Sequence, residues 1–279
     1  MTRLFVEQLT VIDCAYLDAV RGLVGESWIV DLELAGALDP QSMVLDFGDF
    51  KKLAKRALDA SVDHTLLVPL RAPGLVLRPD GATVSLEFSG PAAGPISFQA
   101  PRSAVTLLDA AHVDPASLST HLVPQVTAAL PEGVSVAALV LRNEAIEGAY
   151  YHYTHGLKKH AGQCQRIAHG HRSRLEIRVD GVRDAALEAH WAARWADIYL
   201  GTREDLADAG DGRVAFAYTA SEGRFALALP ASRCQLIDAD TTVERLAEHL
   251  AAGAAAQRPG CAIEVRAYEG VMKGAIARV

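Results

Sequence analysis

The sequence predicts an α+β chain built as two tandem copies of one strand-rich unit, and three observations carry that prediction. First, PRSAVTLLDAAHVDPASLSTHL from Pro101 and PASRCQLIDADTTVERLAEHL from Pro230 keep the same plan. Each opens with proline, sets an apolar pair and an aspartate at the same distance (Leu107-Leu108-Asp109; Leu236-Ile237-Asp238) and continues as a helix. Second, two alternating segments joined by a turn precede each proline: ATVSLEFSG with PISFQA, and RVAFAYTAS with RFALALP. Third, each helix leads to an alternating strand that ends at a glutamate, Glu144 or Glu269. Matching positions over a long period signal a repeat more strongly than any single motif.

The elements follow in order. Each half opens with an aromatic strand leading into a second strand (WIVDLELAG, SRLEIRVDG). Then come helix, strand, strand, helix and a last strand. Period-2 alternation marks the strands, and apolar residues three and four apart mark the helices. The boundary falls near Gly148, giving units 1–147 and 148–279.

Of 279 residues, half are hydrophobic and 22% charged, enough for a sizeable core. A net charge of -7 argues against a general nucleic-acid binder. Lys158, Lys159, Arg166, Arg172 and Arg174 cluster locally, which suits a small anionic substrate better than a polymer. Apolar runs such as Val134–Leu141 are too short to span a bilayer, and the opening MTRLFVEQLT shows no secretory pattern. The four cysteines (Cys14, Cys164, Cys234, Cys261) lie far apart without paired spacing, so a reduced, cytoplasmic chain is expected.

The most specific stretch is YHYTHGLKKHAGQCQRIAHGHRSRLEIRV. His169 and His171 fall on one face of a strand, and His155 on a neighbouring strand would complete a three-histidine zinc site with an open position. Three surface histidines would look the same in isolation; the compact grouping with a cysteine favours metal. His152 and His160 fit less well. Cys164 could be a fourth ligand, a buried small hydrophobe or a thiolate; base or nucleophile is favoured, because nearby Lys158, Lys159, Arg166 and a metal would stabilise the thiolate. The first half has Gly25-Glu26-Ser27 where the second has His169-Gly170-His171. It holds instead Asp63-His64, a carboxylate–imidazole pair able to share a proton, although a bare dipeptide of this kind is more often a surface pair. The comparable place in the second half reads Ala196-Asp197-Ile198.

Together these residues resemble the 6-pyruvoyltetrahydropterin synthase and 6-carboxytetrahydropterin synthase (QueD-like) family. Tyr151-HYTH, Cys164, His169-Gly170-His171, Thr241-Thr242-Val243-Glu244 and Glu269 carry the likeness in the second half. Met43-Val44-Leu45-Asp46-Phe47 and Asp63-His64 carry it in the first. Thr241 stands where the family has proline, and the second copy has neither Asp-Phe nor Asp-His. The resemblance implies two tunnelling-fold units, each a four-stranded antiparallel sheet with two helices on one face, joining edge to edge into a homo-oligomer. It implies zinc on His155, His169 and His171, Glu269 gripping a pterin edge, and Cys164 moving protons with support from Asp63 and His64. The family's site lies between units, which makes a hybrid site intelligible, formed within a chain or between chains. The implied activity is a lyase acting on 7,8-dihydroneopterin triphosphate or a close analogue. A different lyase on a related heterocycle, or a non-catalytic pterin- or purine-binding protein, are the alternatives.

Overall fold

A computed structural model describes residues 2–279. The first half runs β1 (Thr2–Asp18), β2 (Gly22–Gly36), α1 (Phe47–Ser61), β3 (Leu66–Pro69), β4 (Leu75–Asp80), β5 (Thr83–Gly90), β6 (Gly94–Pro101), β7 (Val105–Leu108), α2 (Pro115–Ala129) and β8 (Ser135–Arg142). The second half continues with β9 (Tyr150–His155), β10 (His169–Val179), β11 (Val182–Arg183), α3 (Ala185–Arg194), β12 (Ile198–Thr202) and β13 (Leu206–Gly210). It ends with β14 (Arg213–Ala220), β15 (Gly223–Pro230), β16 (Cys234–Ile237), α4 (Val243–Gln257), β17 (Ile263–Tyr268) and β18 (Gly274–Arg278). Apart from β11 and β18, the second series follows the order of the first.

Local chemistry sets the helices. Asp46 caps α1 by accepting from the Gly48 and Asp49 amides, and Phe50, Ala54 and Leu58 recur every four residues on its buried face. Asp114 and Ser117 cap α2 reciprocally, with Pro115 in the first turn, and Leu118, Leu122 and Val126 are buried. Thr242 caps α4, whose buried stripe is Leu246, Ala247, Leu250, Ala251 and Ala254.

The chain is α+β, but its sheets are larger than two four-stranded units. One sheet has the order β7-β3-β1-β2-β8, a second β16-β12-β9-β10-β17-β18 with β11 beside β10, and a third β13-β14-β15-β6-β5-β4. The first two are mixed rather than purely antiparallel, since β3 runs parallel to β1 and β7, and β12 parallel to β9 and β16. Strands of four or five residues are too short to display a period, so sequence alternation alone does not reveal them. The third sheet joins the halves: β15 of the second pairs with β6 of the first through Ala226↔Gln99, Leu227↔Phe98 and Ala228↔Ser97. No helix among the described residues is long and apolar enough to cross a membrane.

Three cores result. Helices α1 and α2 cover the first sheet through Ile12, Val24, Val30, Phe50, Leu58 and Leu122. Helices α3 and α4 cover the second through Tyr151, Leu175, Trp191, Trp195, Leu246 and Leu250. The third core lies under the shared sheet, where Phe98, Phe216 and Phe225 meet Leu17 and Leu23 of the first half and Ile167 and Tyr199 of the second.

The hairpins β1–β2 and β9–β10 also cross directly, at two glycines. A Cβ on Gly25 would fall on the Tyr153 carbonyl oxygen and 2.6 Å from the His171 amide nitrogen. One on Gly170 would meet the same carbonyl and lie 2.7 Å from the Gly25 Cα. Backbone cannot yield as a flexible side chain can. Gly170→Ala should therefore cost about 3 kcal/mol or more, whereas Gly210→Ala, with open space around it, should stay within about 0.5 kcal/mol. Urea unfolding of the two variants measures the contrast; equal stability would show that the crossing is loose.

Candidate metal centre and cysteine–histidine site

His155 ends β9 and pairs in register with His169 at the start of β10. Alternation turns His171 to the same face two residues later. All three imidazoles are buried, and their rings lie 4.4 Å (His155 to His169), 5.4 Å (His155 to His171) and 5.7 Å (His169 to His171) apart between centroids. One ring nitrogen from each falls within 4.8 Å of the others, a spacing that one metal ion can bridge.

Hydrogen bonding on the far side of the rings selects the free nitrogens. His155 Nδ1 donates to the Thr241 carbonyl at 2.9 Å, and His169 Nδ1 donates to the Arg166 carbonyl at 2.9 Å. Nε2 is thereby left as the lone-pair nitrogen, aimed inward. His155 Nε2 and both nitrogens of His171 are buried without a hydrogen-bond partner among the described residues. Unpartnered buried donors and acceptors are rare and costly, so this cluster calls for a ligand. Burial pushes the pKa of His155 and His169 well below the ordinary histidine value, aided for each by its neighbouring rings. Neutral imidazole is the metal-binding form. The residues fit a metal of the zinc class, with three nitrogen donors and an open position.

Beside this cluster lies Cys164, in a short turn of the β9–β10 connection. That turn is pinned: Gln165 Oε1 accepts from Ser221 Oγ (3.0 Å) and the Glu222 amide (2.8 Å), and Tyr218 donates to the Gln165 carbonyl at 2.7 Å. Cys164 Sγ, a ring nitrogen of His64 and one of His169 lie mutually within 4.8 Å. Asp63 and His64 come from the segment after α1, so the two halves meet here within one chain. Asp63 Oδ2 lies 2.9 Å from His64 Nδ1. Burial pulls the His64 pKa down, but Asp63 and Cys164 outweigh it and lift it to about 10, so the ring holds a proton at neutral pH. His64 adopts φ 53°, a left-handed conformation held by its amide bonding to the Asp13 carbonyl at 2.7 Å.

The expected cation cluster around Cys164 is not what surrounds it. Lys158 pairs with Glu204 and Asp205, Lys159 with Glu204 and Asp240, and Arg166 with Glu222 at 2.9 Å. Arg172 and Arg174 alternate to the opposite face of β10 from the ligands, over the rings of Tyr150 and Tyr268. The positive group at the thiol is His64 itself. A groove of about 500 Å³ lined by Lys159, Arg203, Asp238 and Arg245 includes none of the imidazoles.

Glu269 follows β17, half-buried, its amide donating to the Lys273 carbonyl at 3.0 Å. The next residue, Gly270, packs against the Asp13 carboxylate, which puts Glu269 at the rim of the same site. Glu144, its counterpart in the repeat, is buried with one unpartnered oxygen, 3.9 Å from Arg174. Asp13 is the site residue that sequence reading misses. It sits in β1 without a motif, yet its carboxylate lies 3.1 Å from His171 Nδ1 and 3.1 Å from Lys273 Nζ.

The registers also correct the alignment of the two halves. His64 and Asp197 share the left-handed conformation, and two residues on, Leu66 pairs with Ala15 as Tyr199 pairs with Thr154. Gly25 then corresponds to Gly170, and Tyr16, Val24 and Glu26 to His155, His169 and His171. This is one residue away from matching Gly25-Glu26-Ser27 to His169-Gly170-His171. In that equivalent place Arg21 holds Asp197 through two hydrogen bonds (2.6 and 3.0 Å) and contacts the Tyr16 hydroxyl at 2.9 Å. A guanidinium stands where the other half has room for a metal.

No family model matches this chain, and no curated protein sequence is similar to it. Among solved structures, 6-pyruvoyl tetrahydropterin synthase from Plasmodium vivax is 19% identical, superposing with a TM-score of 0.39 over 51% of this chain and 98% of its own. The Plasmodium falciparum 6-pyruvoyl tetrahydropterin synthase is 17% identical, with the same TM-score, over 50% of this chain and 97% of its own. Superposition this loose says nothing of activity.

Elemental analysis of protein purified without chelator should give one zinc-class ion per chain, and His169→Ala should abolish it; two ions per chain would contradict the Arg21 substitution. In metal-free protein, the contribution of His155 and His169 should be complete above the ordinary histidine value of about 6.5 and be lost on acidification, because both must take up protons on unfolding. Acid titration of the chelator-treated protein, followed by circular dichroism, checks the sign.

Proposed function

We propose that this protein is a zinc-dependent lyase acting on a reduced pterin, 7,8-dihydroneopterin triphosphate or a close analogue, in the manner of the 6-pyruvoyl- and 6-carboxytetrahydropterin synthases. The observation that carries this reading is the meeting of Cys164 and His64 with His169, itself one of three clustered imidazoles. A thiol beside a protonated imidazole, itself held by a carboxylate, is an arrangement for moving protons. His155, His169 and His171 would hold zinc, which when bound polarises substrate side-chain oxygens and makes the adjoining C–H bonds more acidic. Cys164 takes the proton from such a carbon. His64, charged at neutral pH, stabilises the thiolate and returns a proton to the product side chain, while Asp63 fixes its ring. Glu269 accepts from the amino and ring N–H groups of the pterin as a two-pronged, charge-assisted pair.

The same reading divides the chain into units 1–147 and 148–279, derived from one ancestral unit by duplication. The first gives up the metal and supplies Asp63 and His64; the second keeps the metal and supplies Cys164. Exposed apolar residues on edge strands, Val140 on β8 and Ile276 on β18, support association into a homo-oligomer.

Mass spectrometry after incubation with 7,8-dihydroneopterin triphosphate should reveal loss of triphosphate and a rearranged side chain; unchanged substrate with metal-loaded protein would overturn the activity. Cys164→Ala and His64→Ala should each inactivate. Mixing the two under chain-exchange conditions should restore nothing, since both groups belong to one chain; recovered activity would mean a site shared between chains. Glu269→Gln should weaken pterin binding by about 2–3 kcal/mol, with Glu144→Gln nearly silent, as calorimetry can measure.

A further inference from the structure

We infer that Asp13, contributed by the first half, is a positioning residue that orients the metal ligand His171 and locks it to the cysteine–histidine pair. The inference deepens the metal-centre reading and rests on it. His155 and His169 have their Nδ1 atoms fixed by backbone carbonyls of the second half. His171 has no such carbonyl. Asp13 Oδ1 lies 3.1 Å from its Nδ1, a close contact that stops short of a formed hydrogen bond. A carboxylate at this distance favours the Nδ1–H tautomer and leaves Nε2 for the metal.

The carboxylate is itself held. Asp13 is 3% exposed, Ser27 Oγ donates to its Oδ1 at 2.5 Å, and Lys273 Nζ donates to its Oδ2 at 3.1 Å. Gly270 packs on it closely enough that a Cβ there would lie 2.5 Å from Oδ1. Its backbone reaches the other part of the site. The Asp13 amide donates to Asp63 Oδ1 at 2.9 Å, and the Asp13 carbonyl accepts from the His64 amide at 2.7 Å. One residue therefore sets a metal ligand with its side chain and the Asp63-His64 pair with its main chain. Both registrations come from β1, so the spacing between metal and acid–base pair follows the seating of the first half on the second.

The test uses metal-free full-length protein titrated with zinc against a competing chelator. Asp13→Ala should weaken zinc binding about 10- to 100-fold, and Asp13→Asn, which keeps an acceptor oxygen without the charge, should fall between it and the parent. In the absence of metal, the ¹⁵N shifts of His171 should report Nδ1–H in the parent chain and a mixture of tautomers in Asp13→Ala. Should the alanine variant fail to fold, Asp13→Asn, which keeps the shape and every backbone bond, carries both measurements. Zinc affinity and tautomer unchanged in a folded variant would overturn the role of Asp13 while leaving the metal centre standing. A parent chain that binds no zinc would overturn both.

Discussion

Everything chemical in this fold depends on the contact of two backbones, Gly25 against Gly170. Strands that carry side chains on their facing surfaces stay about 10 Å apart; removing both Cβ atoms lets these hairpins touch through Cα and carbonyl atoms. That approach brings Asp13 to His171 and His64 to His169, although each pair is separated by more than a hundred residues of chain. A side chain at either glycine would push the first half outward and pull the two parts of the site apart together. The shared sheet, continuous across β6 and β15, prevents the halves from sliding to relieve the crossing.

The electrostatics follow from what that closeness buries. Asp13 loses hydration, which alone would raise its pKa, yet His171 and Lys273 hold its carboxyl well below the usual range. His64 is half-buried yet charged, because Asp63 and Cys164 face it. Burial, aided by the neighbouring rings, leaves His155 and His169 neutral. The result is a pocket with two kinds of imidazole: neutral rings on one side, and a charged ring on the other. Environments that drive like residues to opposite protonation states are what the proposed acid–base role requires. The equivalent place in the other pseudo-half has the reverse arrangement. Arg21 supplies a permanent cation, Asp197 binds it, and Glu26 is pushed up to about 7 by burial. That place is closed by its own side chains.

Much of this was legible in the sequence because it rests on period and local chemistry. The repeated proline–aspartate stretches are the β6–β7 and β15–β16 corners with α2 and α4, and the alternating pairs are β5–β6 and β14–β15. His155, His169 and His171 converge because alternation and hairpin pairing are local rules. Asp63-His64 could be guessed, but its partner could not, since no sequence pattern states which strands cross. The short parallel strands β3, β7, β12 and β16 escaped because four or five residues carry no periodic signal. Asp13 escaped for a deeper reason. In QLTVIDCAYLD it reads as one polar residue in an apolar strand, and only the crossing supplies the histidine and lysine that make it a site residue. Lys158 and Lys159 misled in the opposite direction, because charge density in sequence says nothing of the acids waiting across a loop.

The proposed division of labour between the halves would also limit how the protein can change. In an assembly of identical units, every unit must keep both the metal ligands and the acid–base pair. Once two units are joined in one chain, each can lose the part its neighbour supplies, and the freed positions are open to structural use. Tyr16, Val24 and Glu26 occupy the first half's ligand positions, and Asp197 occupies the second half's histidine position. Arg21 and Asp197 then bind the halves through a bidentate ion pair, partly shielded from solvent. On the proposed reading, the imidazole cluster at one crossing would hold a metal, while an ion pair ties the hairpins at the other. Restoring histidines to Tyr16, Val24 and Glu26 would therefore not recreate a second centre. Arg21 would still occupy it, and removing Arg21 would leave Asp197 partly buried without a partner.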